Sequence, residues 1–106
     1  MVKHIILWKL KEEHNNSDVK QGIKNGLEGL LGKIPGLVEI SVQTDSLESS
    51  NADVMLYSVF EDEAAYKGYV VHPDHVAAAD GKVRPFTKTR LCLDFEASLV
   101  CICCGR

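Results

Sequence analysis

The stretch YVVHPDHV, residues 69–76, places Tyr69, His72 and His75 around Pro73. An imidazole changes its charge near neutral pH, so a histidine can act there as a general acid or base. A tyrosine hydroxyl is a second polar group that could share the same site. The residue types therefore predict proton-transfer chemistry, provided that the chain brings Tyr69 and His75 together.

The same stretch is open to two other interpretations. Two neighbouring histidines can bind a metal, but no third ligand lies at a usual spacing, so no metal site is predicted. Alternatively, His72 caps or hydrogen-bonds at a helix junction and His75 lies on a short helix, and neither has a chemical role.

His4 adds a third titratable group. In the opening strand it shares a face with Ile6 and Trp8, and a histidine on an apolar face needs a polar partner. His4 is therefore either a satisfied core histidine or part of the wall of a pocket. In the second case Tyr69 and His75 would supply further polar groups to an otherwise apolar pocket.

Hydrophobic patterning predicts the elements that must position these residues. The predicted order is a strand at 2–11, a helix at 17–34, strands at 38–44 and 54–60, a helix capped by Asp62, a short helix from Pro73 closed by Gly81, and a strand at 89–95. This order predicts a ferredoxin-like α+β fold, β-α-β-β-α-β, with a four-stranded antiparallel sheet covered by helices on one face.

The proline decides whether Tyr69 and His75 can meet. The residue before a proline disfavours helical backbone, so the second helix must end by His72. Proline suits the first position of a new helix. On one continuous helix, Tyr69 and His75 would point about 120° apart around the axis. The break at Pro73 is therefore predicted to turn His75 back toward Tyr69.

The first strand carries apolar residues on both faces, yet the predicted helices cover one face of the sheet. Ile5 and Leu7 lie opposite the row that contains His4, Ile6 and Trp8. One row thus lacks a cover, and a second copy packed sheet against sheet is the simplest one. We therefore predict a homodimer, with Trp8 inside the resulting barrel or at its mouth.

Composition excludes several classes of protein. The 106 residues carry a net charge of −3, and no run of Lys or Arg could follow a phosphate backbone, so no nucleic-acid partner is predicted. No apolar run approaches the roughly 20 residues of a membrane span, so no membrane partner is predicted. Cys101, Cys103 and Cys104 crowd the last residues, which suits a reduced, cytoplasmic protein better than a disulfide scaffold.

Several motifs together resemble one family. The chain opens with VKHIILWKLK, has an IPG turn after its first helix and VMLYSVFED in its third strand, and continues with HPDH, VRP and LDFE. These features resemble the stress-responsive dimeric α/β-barrel (Dabb) domain. The resemblance implies a Dabb-type α+β barrel domain at 1–97, followed by a cysteine-containing C-terminal extension at 98–106.

The resemblance also implies a site. One family member, olivetolic acid cyclase, is a cofactor-independent polyketide cyclase whose catalytic histidine and tyrosine match His75 and Tyr69. There the histidine would remove a proton alpha to a carbonyl, and the tyrosine hydroxyl would orient it or hold the carbonyl. The resemblance thus implies this catalytic pair, no cofactor, and a small apolar or aromatic ligand. The predicted ligand-contacting residues are His4, Ile6, Trp8, Val54 and His72.

Two functions remain open at this point. The chain departs from the cyclase at Val54, where the cyclase has a pocket histidine, and at residues 77–79, where alanines replace pocket aromatics. It is predicted to be either a cyclase-like catalyst or a non-catalytic, stress-related dimeric protein with a structural or ligand-binding role. An open pocket with the Tyr69 hydroxyl and a His75 nitrogen in hydrogen-bonding reach favours the first, and a filled core favours the second.

Overall fold

The computed structural model describes residues 1–97, and the predicted cysteine-containing extension lies outside them. Its main elements are β1 (Val2–Leu10), α1 (Ser17–Glu28), β2 (Leu37–Gln43), β3 (Val54–Phe60), α2 (Glu63–Val71), α3 (Pro73–Ala78) and β4 (Thr87–Glu96). This order confirms the predicted ferredoxin-like α+β fold. None of the helices in the described part of the chain has the length and apolar character needed to cross a bilayer.

The strands form one antiparallel sheet in the order β2-β3-β1-β4. In this sheet β1 is central, and His4 lies opposite Ser58 of β3 on one side and Asp94 of β4 on the other. One row of side chains on the edge strand β4, which includes Asp94, therefore lies beside the row of β1 that carries His4. This register decides which residues of β4 can reach a site on that face.

One row of β1 is buried between the sheet and the helices. His4, Ile6 and Trp8 belong to this row, and the core there also contains Ile23 and Leu27 of α1. Trp8 therefore contributes to the core of a single chain. This corrects the expectation that Trp8 lies inside a barrel formed between two sheets.

The opposite face of the sheet is rich in exposed apolar side chains. Leu7, Leu91, Leu93 and Phe95 are all exposed, and the register pairs Ile5 with Leu93 and Leu7 with Leu91. We call this surface, formed by Ile5, Leu7, Leu91, Leu93 and Phe95, the open face. Contiguous apolar surface of this kind usually marks an interaction site.

The first helix begins where the sequence predicts and ends earlier. The Asn16 side chain accepts a 2.9 Å hydrogen bond from the Val19 N–H and so caps the first turn. The apolar spacing predicts a helix to residue 34, but α1 ends at Glu28 and turns follow. Within these turns Gly32 adopts a φ of 88°, a left-handed conformation that glycine takes readily and that cannot continue a helix.

Gly36 allows the turn before β2 to pack against α2. Its φ is 80°, and a Cβ placed on it would collide with the Cβ of Ala65. We expect Gly36→Ala to lower the free energy of unfolding, measured in urea, by about 2 kcal/mol or more, because backbone strain and overlap add. Gly32→Ala is the matched control, because Gly32 has a similar φ but a Cβ placed on it would meet no atom within 4 Å. We expect this variant to lower the free energy of unfolding by about 1–2 kcal/mol, from strain alone. Equal losses of unfolding free energy in the two variants would contradict this account of Gly36.

The break between α2 and α3 lies where the sequence predicts it. The Asp62 side chain accepts a 2.8 Å hydrogen bond from the Ala65 N–H at the start of α2, which ends at Val71. His72 is extended, with φ −66° and ψ 133°, and Pro73 begins α3. The predicted turn of the chain before His75 is therefore confirmed.

The third helix does not close at Gly81 as predicted. The chain continues through a π-helical turn, Ala79–Val83. Within residues 1–97, positive φ angles occur at Gly32 and Gly36 and not at Gly81, so Gly81 does not take the left-handed conformation that ends many helices. The additional turn buries Val83 in the core.

Candidate functional site

A cavity of about 400 Å³ lies between β1 and the helical segment that runs from α2 through α3. His4, Ile6 and Trp8 of β1 line it on one side, and Tyr69 and His75 line it on the other. The structure thus brings together five of the residues that the sequence singles out. The volume lies within the range of about 300–1,000 Å³ that is usual for small-molecule sites.

Tyr69 and His75 reach the cavity from the two sides of the break at Pro73. Their ring centroids are 4.0 Å apart and the ring planes are inclined by 32°. The two rings are therefore in contact but tilted, and the Tyr69 hydroxyl does not hydrogen-bond to His75.

The backbone fixes the tautomer of His75. Its Nδ1 lies 3.3 Å from the carbonyl oxygen of Val70. A carbonyl oxygen can only accept, so Nδ1 carries the proton and donates it, which leaves Nε2 of the neutral ring with a free lone pair. Burial lowers the pKa of His75, and the neighbouring Arg84 and Arg90 lower it further, although the Val70 contact opposes them. His75 is therefore neutral at pH 7 and available as a base.

Tyr69 presents an unpaired hydroxyl. Its side chain is 1% exposed, and its hydroxyl has no hydrogen-bond partner among residues 1–97. Burial of a hydroxyl without a partner costs about 1–3 kcal/mol. Burial also raises the pKa of Tyr69 well above its ordinary value, so the hydroxyl stays protonated and can donate a hydrogen bond to a ligand oxygen.

His4 is held by a carboxylate from the edge strand. Its Nδ1 bonds to Asp94, and its ring centroid lies 4.9 Å from that of Tyr66. Burial raises the pKa of Asp94, but the contacts with His4 and Tyr66 outweigh it and lower the pKa overall. Burial, followed by the Asp94 carboxylate, raises the pKa of Tyr66 to about 12. His4 is thus a satisfied buried histidine whose ring also forms part of the cavity wall.

Two arginines give the cavity a positive side. Arg84 and Arg90 both line it. Arg84 pairs with Asp80 four residues before it, whereas Arg90 makes no salt bridge within the described part of the chain. Arg90 is therefore a cation available to an anionic or strongly polar part of a ligand.

His72 and Val54 do not line the cavity. The His72 side chain caps α3, where its Nδ1 accepts a 3.1 Å hydrogen bond from the Asp74 N–H. Val54 is buried at the start of β3, opposite Trp8 in the sheet. Helix capping and core packing explain the positions of these two side chains.

Sequence reasoning missed the contribution of β4 and the neighbouring tyrosine. Asp94, Arg90 and Cys92 alternate along β4 and so share one face of the sheet, and Tyr66 reaches the same region from α2. The alternation is visible in the sequence. The residue of β1 that lies beside Asp94 cannot be read from the sequence, because only the strand register places Asp94 opposite His4.

A profile of the Stress responsive A/B Barrel Domain family, Dabb, matches residues 2–97. The chain belongs to this family. A comparison with curated protein sequences finds no match. The likeness of this Dabb domain to olivetolic acid cyclase therefore stays a prediction.

Solved structures of related proteins share the Dabb domain's fold. A dimeric protein of unknown function and ferredoxin-like fold from Bacteroides fragilis is 32% identical with a TM-score of 0.82, covering 91% of this chain and 95% of its own. A dimeric ferredoxin-like protein of unknown function from Thermobifida fusca is 25% identical with a TM-score of 0.80, covering 91% and 90%. A hydroxynitrile lyase from Passiflora edulis is 18% identical with a TM-score of 0.75, and the match covers 92% of this chain and 94% of the lyase chain. The last likeness shows the fold alone.

Proposed function

We propose that this Dabb domain binds a small carbonyl compound with an apolar body in the cavity and transfers a proton to and from it. The observation that carries the proposal is the buried, unpaired Tyr69 hydroxyl beside a neutral His75 in one cavity. The carbonyl oxygen of a ligand would satisfy that hydroxyl. The apolar side chains of Ile6 and Trp8 would contact the body of the ligand.

The proposed reaction is abstraction of a proton alpha to the carbonyl. Nε2 of His75 takes the proton, the C–H electron pair forms the enolate, and the negative charge develops on the oxygen held by the Tyr69 hydroxyl. A hydrogen bond to that oxygen stabilises the transition state more than the ground state. Return of a proton completes an exchange. A cyclase-like reaction would follow if the enolate attacked a second carbonyl in the same ligand.

Acetophenone tests this function because it combines an apolar ring with a single carbonyl and a slowly exchanging methyl group. The protein is incubated with acetophenone in D2O, and deuterium entry into the methyl group is followed by NMR. We expect the wild-type protein to accelerate exchange above the rate in buffer. Binding without any acceleration would favour the alternative below.

The alternative is a protein that binds a ligand without catalysis. The tilted ring contact between Tyr69 and His75 favours it, because the hydroxyl and the imidazole nitrogen are not joined by a hydrogen bond in this arrangement. In this alternative the cavity recognises a carbonyl compound and His75 only contributes to the wall. Acetophenone would then bind with the same dependence on Tyr69, and its methyl protons would exchange at the rate in buffer.

Replacement of Tyr69 by Phe separates binding from structure. We expect Tyr69→Phe to raise the free energy of unfolding by about 1 kcal/mol, because it removes a buried polar group without a partner. We also expect roughly 3- to 10-fold weaker acetophenone binding, the loss of one neutral hydrogen bond. Calorimetry measures both quantities. Tyr57→Phe, on the other face of the sheet, is the control and should leave acetophenone binding unchanged.

We also propose that the protein is a homodimer that pairs through the open face. Leu91 and Leu93 are 66% and 63% exposed in the single chain, and burial of such surface drives association. The relatives from Bacteroides fragilis and Thermobifida fusca are described as dimeric, which supports the same assembly here. Each protomer then keeps its own cavity on the helical side of its sheet.

A further inference from the structure

A second group of side chains lies next to the cavity, where β1 meets β4. His4 of β1 faces Asp94 of β4, and Cys92 precedes Asp94 by two residues, so all three project from the same face of the sheet. We call these three residues the β1–β4 cluster. Their nitrogen, sulfur and oxygen donor atoms all lie within 4.8 Å of one another.

The distances within the β1–β4 cluster match those between metal ligands. The Cys92 Sγ lies 3.6 Å from the His4 Nδ1 and 3.4 Å from an Asp94 carboxylate oxygen. In a tetrahedral zinc site, Zn–S and Zn–N or Zn–O bonds place sulfur about 3.6 Å from each of the other two donors. Two of the three donor–donor distances are therefore already those of a bound site.

We propose that the β1–β4 cluster is a binding site for a divalent transition-metal ion of the zinc class. The mixed nitrogen, sulfur and oxygen donors favour zinc over magnesium or calcium, which prefer oxygen ligands. The thiolate and the carboxylate would together neutralise the charge of the ion. Three protein ligands leave the fourth position for water or for an atom of a bound molecule.

Binding requires a defined movement of protons. The Cys92 thiol releases its proton to solvent as the sulfur bonds to the ion. The proton between His4 and Asp94 leaves Nδ1, and the neutral imidazole carries its proton on Nε2 instead. His4 and Asp94 must also separate slightly, because their present contact is a direct hydrogen bond. No oxidant or reductant is needed.

The neighbours of the β1–β4 cluster suit this role. Tyr66 lies beside Asp94 and can hold the carboxylate in place, as groups around metal ligands commonly do. Burial and the Asp94 carboxylate raise the pKa of the Cys92 thiol and Arg90 opposes them, so the ion itself must displace the thiol proton. Cys92 is exposed on the edge strand, so an ion can reach the site without opening the core. The inference rests on this geometry and is independent of the proposed proton transfer.

Cobalt titration tests the site in the 106-residue chain. Cys101, Cys103 and Cys104 also carry thiols, so the parent is the full chain with all three changed to serine. We expect Co2+ to bind the parent one to one, with a thiolate-to-cobalt absorption band in the near ultraviolet, and Zn2+ to displace it. Absence of that band in the parent overturns the proposal.

Two further substitutions in the parent assign the ligands. Cys92→Ser should abolish the band and weaken Co2+ binding at least about 100-fold, and Tyr66→Phe should weaken it about 10-fold with the band retained. Metal-free thermal unfolding of Cys92→Ser should match the parent, because Cys92 is exposed and Ser is similar in size. A band that survives Cys92→Ser overturns the proposal, and so does unchanged Co2+ affinity in that variant.

Discussion

The His75→Gln protein is expected to exchange the methyl protons of acetophenone at least about 100 times more slowly than the wild type. Loss of a general base typically removes 10²- to 10⁴-fold of the rate. Glutamine can still donate to the Val70 carbonyl that His75 contacts, but it has no basic nitrogen. Exchange rates from NMR in D2O provide the measurement.

The matched control is His72→Gln, the same change three residues earlier. The His72 side chain caps α3 and does not line the cavity. We expect His72→Gln to lower the free energy of unfolding by about 1 kcal/mol, as loss of a helix cap does. Its exchange rate should stay within about a factor of two of the wild type. Equal loss of exchange in both variants would contradict the role of His75.

The lowered pKa of His75 has a consequence for stability. Between its folded pKa and the unfolded value of 6.5, the unfolded chain binds more protons than the folded protein. Stability contributed by His75 is thus complete above pH 6.5 and falls as the pH falls through this window. His75→Gln should flatten that part of the stability profile.

Replacement of Leu93 by Asp is expected to convert the proposed dimer into a monomer. Leu93 lies on the open face beside Ile5, and pairing of two sheets would bury the new carboxylate without a partner. We expect the dissociation constant to rise at least about 1,000-fold, measured by sedimentation or light scattering. The monomer should stay folded, because Leu93 is 63% exposed in the single chain.

Val71→Asp controls for added charge. Val71 is exposed at the end of α2, on the helical side of the sheet. The dimer should persist in this variant. A Leu93→Asp protein that stayed dimeric would show that the open face is not the interface, and a wild-type monomer at micromolar concentration would contradict the dimer itself.

The parts of the fold that follow local rules could be predicted from the sequence. Alternation identified β1, and the steric effect of Pro73 located the break before α3. Apolar spacing did not locate the end of α1. Leu30 and Ile34 continue the apolar pattern and are buried, but they lie in the turns that follow the helix. Turns and helices can therefore share one apolar pattern.

The candidate site was predictable in part for the same reason. Tyr69 and His75 are close in sequence, and the helix break at Pro73 brings their side chains together. Asp94 lies 90 residues from His4, and its place beside that histidine depends on the pairing of β1 with β4. Trp8 was placed on the wrong side of the sheet because apolar residues occupy both rows of β1, and the pattern alone does not say which row the helices cover.

The most direct measurement is the infrared spectrum of acetophenone carrying a 13C carbonyl, bound to the wild-type protein and to Tyr69→Phe. The central claim is that the buried Tyr69 hydroxyl binds the carbonyl of a ligand in the cavity. A hydrogen bond to the oxygen weakens the C=O bond, so we expect a lower stretching frequency in the wild type than in Tyr69→Phe. Identical frequencies in the two proteins, with the ligand bound to both, would contradict the claim.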